Sequence, residues 1–350
     1  FKQKTAYEIS LGLVGSEMCI RDSHNLSSGL KDSNALPSFT IVIPVKNEVK
    51  VVGRCLDAVM SLEYPKELME VIVVDGNSTD GTREVCLKYV ERSRGLIKLI
   101  DQREAKGKPS ALNLALKHAR NDVVLVLDAD SVPERGLLLK AARYFEDPGV
   151  VAVQGRNLPI NEDENLISRL TSMEGRWFQA TFKGRWRLGL FVPFMGSCMF
   201  VKREVLEKLG GWSEHHLSED MELSARLLKS GYEVVFADDL STLQEYPSGL
   251  RSYLTQRYRW LRGTFEVAVS YLGLLKKPSL KRIDAVFMFL TPALMALFLL
   301  ALTGWLPVFV RTSFYIPTPL TLLMTALGAS ATITAAAACG RPVKLSLIHI

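Results

Sequence analysis

Short, uninterrupted apolar runs alternate with helical patterns in the first third of the chain. The runs have the length and the branched aliphatic residues of strands buried on both faces, and the segments between them have apolar residues three and four apart. This alternation predicts an α/β fold around a mostly parallel, doubly wound central sheet. The predicted strands are 39–44, 70–75, 96–100 and 122–128, and the predicted helices are 48–61, 82–91 and 110–119.

The pattern continues less regularly towards residue 270. It predicts strands at 150–154, 195–202 and 232–236, and helices at 165–187, 219–230 and 249–268. The last helix places Gln256, Arg259 and Trp260 on one face, because residues three and four apart are neighbours on a helix. We therefore expect one α/β domain at 37–270, with ligands at the carboxyl ends of its strands, where Asp75 and Asp128 stand.

Two uncharged spans follow this domain, in a membrane region that we place at 283–340. Residues 286–310 are long enough to cross a bilayer, and residues 315–339 form a weaker second candidate. Lysines and arginines precede the first span and follow the second, which predicts a hairpin with both ends in the cytoplasm. This pattern is typical of a multi-pass plasma-membrane protein with a cytoplasmic α/β domain. Buried core helices or interfacial segments are the alternatives.

The two ends of the chain resemble translated adapter DNA. One back-translation of residues 17–23 has a reverse complement that encodes residues 345–350. We therefore expect 1–23 and 345–350 to be sequencing-adapter artefacts, which carry no information about the fold.

The net charge bears on the binding partner, and the cysteine spacing bears on zinc sites and disulfides. The net charge of +6 is modest, and its basic clusters adjoin the apolar spans, which favours contact with a membrane over nucleic acid. The five cysteines show no CxxC pair and no Cys/His spacing, so neither a zinc site nor a disulfide framework is indicated.

Asp128 and Asp130 end a hydrophobic strand. Two carboxylates one residue apart can present oxygens to Mg²⁺ or Mn²⁺, and such an ion would offset charge on a leaving nucleoside diphosphate. The same residues also fit the nucleophile motif of haloacid-dehalogenase-type phosphatases, in which Asp128 would form an aspartyl-phosphate and Asp238–Asp239 would supply later acids. A solvated turn is the third interpretation.

Two further positions are candidates for contacts with a nucleotide. Asp75 at a strand end can accept a hydrogen bond from a nucleobase or ribose, although the Gly-Asn-Ser after it also suits an ordinary turn. Lys108 can reach a phosphate or remain in a solvated loop.

Ser218-Glu219-Asp220 begins a predicted helix. Ser218 can cap that helix with acids in its first turn, or Asp220 can act as a general base on an acceptor hydroxyl. On the later helix, Trp260 can stack on a sugar and Arg259 can hold a diphosphate, or both can lie at a membrane interface.

Taken together, these motifs resemble family 2 glycosyltransferases of the GT-A fold over about 37–310. The Gln-x-x-Arg-Trp element resembles the processive membrane members, which make cellulose, chitin, hyaluronan and poly-N-acetylglucosamine. The joint match favours a glycosyltransferase over a phosphatase. The matching elements, in family order, are Ile43–Glu48, Asp75, Gly107–Asn113, Asp128 with Asp130, Gly196–Ser197, Gly210–Trp212, Glu219–Asp220 and Gln256–Trp260.

The resemblance implies a role for each matched residue. Asp128 and Asp130 would hold the metal, and Asp220, beside Glu219, would be the catalytic base. The residues implied in binding the nucleotide-sugar are Pro44, Asn47, Glu48, Asp75, Lys108 and Asp128. Those implied in holding the acceptor and the diphosphate are Gly196, Ser197, Gln256, Arg259 and Trp260.

Two departures from the family pattern stand in the chain. The usual Asp-Asp-Gly-Ser is Asp75-Gly76-Asn77-Ser78, which removes one acid, and the usual Thr-Glu-Asp begins with Ser218. The resemblance still implies an inverting, metal-dependent transfer from a nucleotide-sugar, with UDP favoured, to a saccharide at the membrane during polysaccharide synthesis. A single addition to a polyprenyl-phosphate or ceramide-type lipid is the alternative, and a phosphatase is the remote one. No nucleic-acid partner is expected.

Overall fold

The structure is a computed structural model that describes residues 36–102, 107–291 and 293–294. Most of the predicted span 286–310 and all of the span 315–339 lie outside these residues, as do the ends 1–23 and 345–350. Within the described ranges, no helix has both the length and the apolar character needed to cross a bilayer.

Eight strands form one mixed sheet, in the order β3-β2-β1-β4-β7-β6-β8-β5. The strands are β1 (Phe39–Val45), β2 (Met69–Asp75), β3 (Ile97–Asp101), β4 (Val123–Val126), β5 (Val132–Pro133), β6 (Ala152–Pro159), β7 (Met199–Lys202) and β8 (Val234–Gln244).

Helices connect these strands. They are α1 (Val52–Met60), α2 (Thr82–Arg92), α3 (Lys108–Leu116), α4 (Leu137–Phe145), α5 (Leu166–Arg187), α6 (Arg203–Lys208), α7 (Glu219–Lys229) and α8 (Leu250–Tyr271). Short 3₁₀ turns occupy Lys66–Leu68 and Leu272–Lys276, and residues 280–291 are helical.

The sheet confirms the predicted α/β class and its mostly parallel pairing. β3, β2, β1 and β4 run parallel to one another, and β6 is parallel to β8. The doubly wound pattern stops at β7, which runs antiparallel to both β4 and β6. Because β7 runs opposite to β4, the turn that precedes β7 lies beside the carboxyl end of β4.

The sheet is buried on both faces, which explains the uninterrupted apolar runs. Ile41 and Ile43 of β1 point into one core cluster, whereas Val42 points into the other, and all three are fully buried. Burying each such side chain contributes about 1.5–3 kcal/mol. A third cluster joins α7, α8 and the helix at 280–291 through Ala225, Val267 and other apolar residues.

Several predicted boundaries are wrong for local reasons. The strand predicted at 195–202 begins only at Met199, because Gly196 and Cys198 have positive φ angles of 78° and 52° and cannot continue a strand. The helix predicted from residue 48 begins at Val52, after a turn at Asn47 with φ of 58°. The strand predicted at 232–236 continues to Gln244 because it pairs with β6 along its length.

Candidate active site

The loops after β1 and β2 are joined by hydrogen bonds at the carboxyl edge of the sheet. The Asn47 backbone N–H donates to Ser78 Oγ (3.0 Å), and the Thr79 N–H donates to Asn47 Oδ1 (2.9 Å). The Glu48 N–H donates to Thr82 Oγ1 at 2.7 Å. These bonds hold Asn47 and Glu48, which follow β1, against the loop that follows Asp75 at the end of β2.

Asp75 is the last residue of β2 and is buried. Its carboxylate accepts from the Ser78 N–H at 3.2 Å, which is the turn chemistry that the sequence also allowed. Gly76 stands where the family usually has a second aspartate, and there is little room for a side chain at this position. A Cβ there would lie 3.3 Å from the Val45 carbonyl oxygen and 3.4 Å from Lys46 Cβ. A second acid at this position would therefore crowd the loop after β1.

Asp128 and Asp130 follow β4 and are half-buried. Burial and the charge of Asp128 raise the pKa of Asp130 to about 7. Burial, followed by the charge of Asp128, also raises the pKa of Glu48. The charge of Asp128 therefore disfavours the ionised forms of Asp130 and Glu48, and a cation beside these carboxylates would relieve that repulsion.

The two aspartates fit a divalent ion bound together with a nucleotide. Mg²⁺ retains several waters and commonly takes only one or two protein carboxylates, with phosphate oxygens completing its shell. Within the described residues there is no cluster of three or more His, Cys, Asp or Glu placed to hold a metal. Two carboxylates are compatible with an ion whose remaining ligands would be phosphate oxygens and water.

Lys108 lies between the predicted donor site and the predicted base. Its Nζ is 2.6 Å from Asp128 Oδ1, 2.8 Å from the Gly196 carbonyl oxygen and 3.7 Å from Glu219 Oε1. Burial alone would lower the pKa of Lys108, but the charges of Asp128, Glu219 and Asp220 outweigh burial and raise it. The ammonium stays charged and neutralises part of the acidic surface.

The turn before β7 connects these groups. Ser197 Oγ accepts from the Asp128 N–H at 3.1 Å, and Gly196 bonds to Lys108 through its carbonyl. A Cβ on Gly196 would lie 3.3 Å from Asp220 Oδ2, so this glycine, with its positive φ, lies directly beside the predicted base. Gln154 is buried and donates to the Ser197 carbonyl oxygen at 2.9 Å, which fixes the turn from behind.

Asp220 is in the first turn of α7, next to the buried Glu219. Burial and the charge of Glu219 raise the pKa of Asp220 to about 7, although the Lys108 ammonium opposes the shift. A carboxylate with a pKa near the working pH is suited to accept a proton and release it again. Ser218 occupies the N-cap position, but its side chain makes no capping hydrogen bond.

Helix α8 carries the predicted acceptor residues on the face that points towards α7. A Cβ on Gly263 would lie 2.1 Å from Ser218 Oγ, so the two backbones touch there. Gln256 is seven residues earlier and thus on the same face, two turns away, with Arg259 and Trp260 beside it. No hydrogen bond or ion pair joins these three side chains to Glu219 or Asp220 in the described part of the chain.

Trp260 is held from one side by Arg257. The Arg257 guanidinium carbon lies 4.2 Å from the Trp260 ring centroid and 4.8 Å from that of Tyr253, and the guanidinium is ion-paired with Glu174. Arg259 and Trp260 are exposed and Gln256 is half-buried. The arginine that packs inside is therefore Arg257, whereas Arg259 is accessible to a ligand.

The acids of the alternative phosphatase interpretation are engaged elsewhere. Asp238 pairs with Lys183 and Arg156, and Asp239 accepts from Tyr144. No hydrogen bond joins either acid to Asp128 among the described residues, so the structure gives the phosphatase interpretation no support.

Sequence patterns did not reveal several residues that shape the site. Gln244 donates to Asp128 Oδ2 at 2.9 Å, and the Glu245 N–H donates to Asp130 Oδ2 at 3.3 Å. Gln154, which fixes the turn before β7, and Gly263, which lets α8 approach Ser218, were missed as well. The only signal for Gly263 was its position seven residues after Gln256. For Gln244 there was none, because its strand was expected to end at residue 236.

Comparison with known proteins shows that the chain is similar to glycosyltransferases. Residues 40–210 match the family described as "Glycosyl transferase family 2". The chain is 32% identical over 274 residues to a probable glycosyltransferase, YdaM, of Bacillus subtilis, covering 76% of this chain and 65% of that protein. It is 29% identical over 247 residues to a beta-monoglucosyldiacylglycerol synthase of Nostoc, covering 69% and 52%. The chain thus spans less than two thirds of the length of either relative.

A solved structure shows the same fold. The mannosyltransferase PcManGT from Pyrobaculum calidifontis, in complex with GDP-Man and Mn²⁺, superposes with a TM-score of 0.57 at 23% identity, covering 94% of this chain and 97% of that one. The fold is therefore the GT-A type expected from the resemblance.

Proposed function

The chain contains a glycosyltransferase domain of family 2, and from its site we propose that it transfers a sugar from a nucleoside diphospho-sugar to an acceptor hydroxyl with inversion at the anomeric carbon. The observation that carries this proposal is the contiguous set Asp128–Lys108–Gly196–Asp220, in which each member lies beside the next. In this set the residues that would bind the diphosphate adjoin the residue that would act as the base.

The donor would bind across the carboxyl ends of β1, β2 and β4. Asp75 is placed to accept from the nucleobase or ribose, and the adjoining Pro44–Glu48 loop would line the nucleoside. Mg²⁺ or Mn²⁺, held by Asp128 and Asp130, would neutralise charge that develops on the leaving diphosphate. Lys108 adds a fixed positive charge on the same side. Support for the metal comes from the two carboxylates and from the Mn²⁺ and GDP-Man bound to PcManGT.

Asp220 would remove the proton from the acceptor hydroxyl as that oxygen attacks the anomeric carbon. The new glycosidic bond forms while the bond from the anomeric carbon to the diphosphate oxygen breaks, and the electron pair leaves with the nucleoside diphosphate. A single displacement converts an α-linked donor into a β-linked product. The raised pKa of Asp220 suits this role, because it makes the carboxylate a stronger base than an ordinary aspartate.

The acceptor would approach along α8. The exposed face of Trp260 is available to stack on a sugar ring, while Arg257 supports the opposite side. Gln256 and Arg259 lie on the same helix face and would hold the acceptor end or the diphosphate.

We extend the proposal to a plasma-membrane location, with the site in the cytoplasm. Large apolar side chains at helical spacing are exposed along α8, namely Leu250, Leu254, Tyr258, Leu261 and Phe265. Lys276, Lys277, Lys281 and Arg282 follow this helix, and such basic clusters favour anionic lipid surfaces. A saccharide acceptor, extended in polysaccharide synthesis, suits the Gln-x-x-Arg-Trp face. The Nostoc relative, a glycolipid synthase, favours a second candidate, single addition to a lipid.

A donor panel separates these possibilities. The full chain in membranes would receive UDP- or GDP-sugars with Mg²⁺ or Mn²⁺, and nucleoside diphosphate release, product size and anomeric configuration would be measured. Release with one donor and a β-linked polymer supports a synthase, and UDP-sugars are the favoured donors. Release with one sugar on a lipid supports the second candidate, and an α-linked product from an α-linked donor contradicts the single displacement.

A further inference from the structure

The segment that joins β8 to α8 connects the donor carboxylates to the helix of the acceptor side. At its start, Gln244 Nε2 donates to Asp128 Oδ2 at 2.9 Å, and the Glu245 N–H donates to Asp130 Oδ2 at 3.3 Å. Two consecutive residues of one segment therefore hold the two aspartates, Gln244 binding Asp128 and Glu245 binding Asp130.

We propose that Gln244 is a positioning residue that orients the Asp128 carboxylate for the diphosphate-bound metal. This inference rests on the proposed function and names a residue that the family motifs leave out. Lys108 binds Oδ1 of Asp128 and Gln244 binds Oδ2, so the carboxylate is held on both sides and its plane is fixed. Each carboxylate oxygen has a further lone pair, which remains available to a cation.

Gln244 is itself anchored by the sheet. It is the last residue of β8, in register with Pro159 of β6, and its carbonyl oxygen accepts from the Ile160 N–H at 3.0 Å. Its amide therefore extends from a fixed backbone, which gives the hydrogen bond to Asp128 a defined direction. Residues that orient metal ligands in this way commonly change metal affinity 10- to 100-fold when they are replaced.

The rest of the segment is fastened separately, which provides a matched control. Asn161 bonds to both the N–H and the carbonyl oxygen of Tyr246 at 2.9 Å, and Thr171 Oγ1 donates to the Pro247 carbonyl oxygen at 3.0 Å. Asn161→Ala would loosen the segment without removing a contact to Asp128. It separates the effect of carboxylate orientation from that of general loosening.

The test is calorimetric binding of UDP, and separately GDP, to the purified full chain, with Mn²⁺ and with the metal chelated. Gln244→Leu has a similar side-chain volume and no donor. We expect it to weaken Mn²⁺-dependent binding of the nucleoside diphosphate by about 10-fold or more and to leave metal-free binding unchanged. Asn161→Ala should bind as the wild type does under both conditions.

A second variant keeps the test decisive if Gln244→Leu does not fold. Gln244→Asn retains the amide but is one methylene shorter and cannot span the distance to Asp128, so it should show the same selective loss. Unchanged or tighter Mn²⁺-dependent binding in a folded Gln244 variant, while the wild type binds with metal dependence, overturns only this inference. If the wild type binds neither nucleotide, the proposed function fails and this inference with it.

Discussion

Gly263→Ala is expected to separate α8 from the start of α7, because the two backbones meet at this residue. The new Cβ would lie 2.1 Å from Ser218 Oγ and 2.9 Å from both Ser218 Cβ and Ser218 N. Rotation of the Ser218 side chain moves only the first of these atoms, so the backbone has to shift. Overpacking of this kind costs about 1–3 kcal/mol.

Gly184→Ala in α5 is the matched control, because a Cβ there has no atom of the described residues within 4 Å. Replacing glycine by alanine inside a helix stabilises it by about 1 kcal/mol at either position. The free energies of unfolding of the two variants should therefore differ by about 1–3 kcal/mol. In a domain of this size, 1 kcal/mol corresponds to roughly 2–4 °C in Tm.

The rate of sugar transfer should also fall in Gly263→Ala, because the backbone shift at Ser218 displaces the residues that follow it. Glu219 and Asp220 directly follow Ser218, and a misplacement of about 1 Å in a catalytic group can cost 100-fold in rate. Thermal unfolding and nucleoside diphosphate release, measured on both variants, check the two effects. Adding Ser218→Gly removes two of the three clashing atoms and should restore part of the Tm. Equal Tm and equal activity in Gly263→Ala and Gly184→Ala would refute the contact between α8 and Ser218.

Four further predictions concern the base and the two binding faces. The rate of transfer, as kcat/KM, should rise with pH and level off above about 7 as Asp220 loses its proton. The pKa of Asp220 in the folded protein is raised above the ordinary aspartate value of about 3.9, so the stability that its proton contributes is complete below about pH 4 and is lost as pH rises through about 7. The Tm of Asp220→Asn relative to wild type should therefore increase between pH 5 and pH 8, and a constant difference would contradict the shift. Trp260→Ala should raise the acceptor KM about 10-fold, or about 1.4 kcal/mol, while Trp260→Phe, which keeps a ring, should lose less; an equal rise in donor KM would argue against stacking on the acceptor. Asp75→Ala should weaken donor binding roughly 10- to 100-fold through the lost charged hydrogen bond, and a loss confined to kcat would assign Asp75 another role.

The sequence predicted the parallel half of the sheet well, because strands β1, β2 and β4 are buried on both faces and read as continuous apolar runs. It also placed Asp75 and Asp128 at strand ends, since that follows from chain order alone. The direction of β7 was harder to predict, because it depends on tertiary pairing with β4 and β6, and no local sequence pattern indicates that pairing. Its late start follows from the positive φ angles at Gly196 and Cys198, which a pattern of apolar residues does not reveal.

Only those site residues that belong to recognisable sequence motifs could be predicted from the sequence. Lys108, Gly196 and Asp220 were named from the sequence, and the structure brings them together. Gln244 was missed because a single amide at the end of a strand has no pattern, and its partner Asp128 is 116 residues away. Gln256, Arg259 and Trp260 share the predicted helix face, and their roles towards an acceptor stay predictions.

The central claim, that Asp220 is the base of a sugar transfer, is tested most directly by Asp220→Asn with the preferred donor. Calorimetry and transfer would be measured on the same preparation of wild type and variant. We expect the affinity for the metal-bound donor to stay within about threefold and transfer to fall by about 100-fold or more, as removal of a general base does. Transfer at the wild-type rate by a variant that binds donor normally would contradict the assignment.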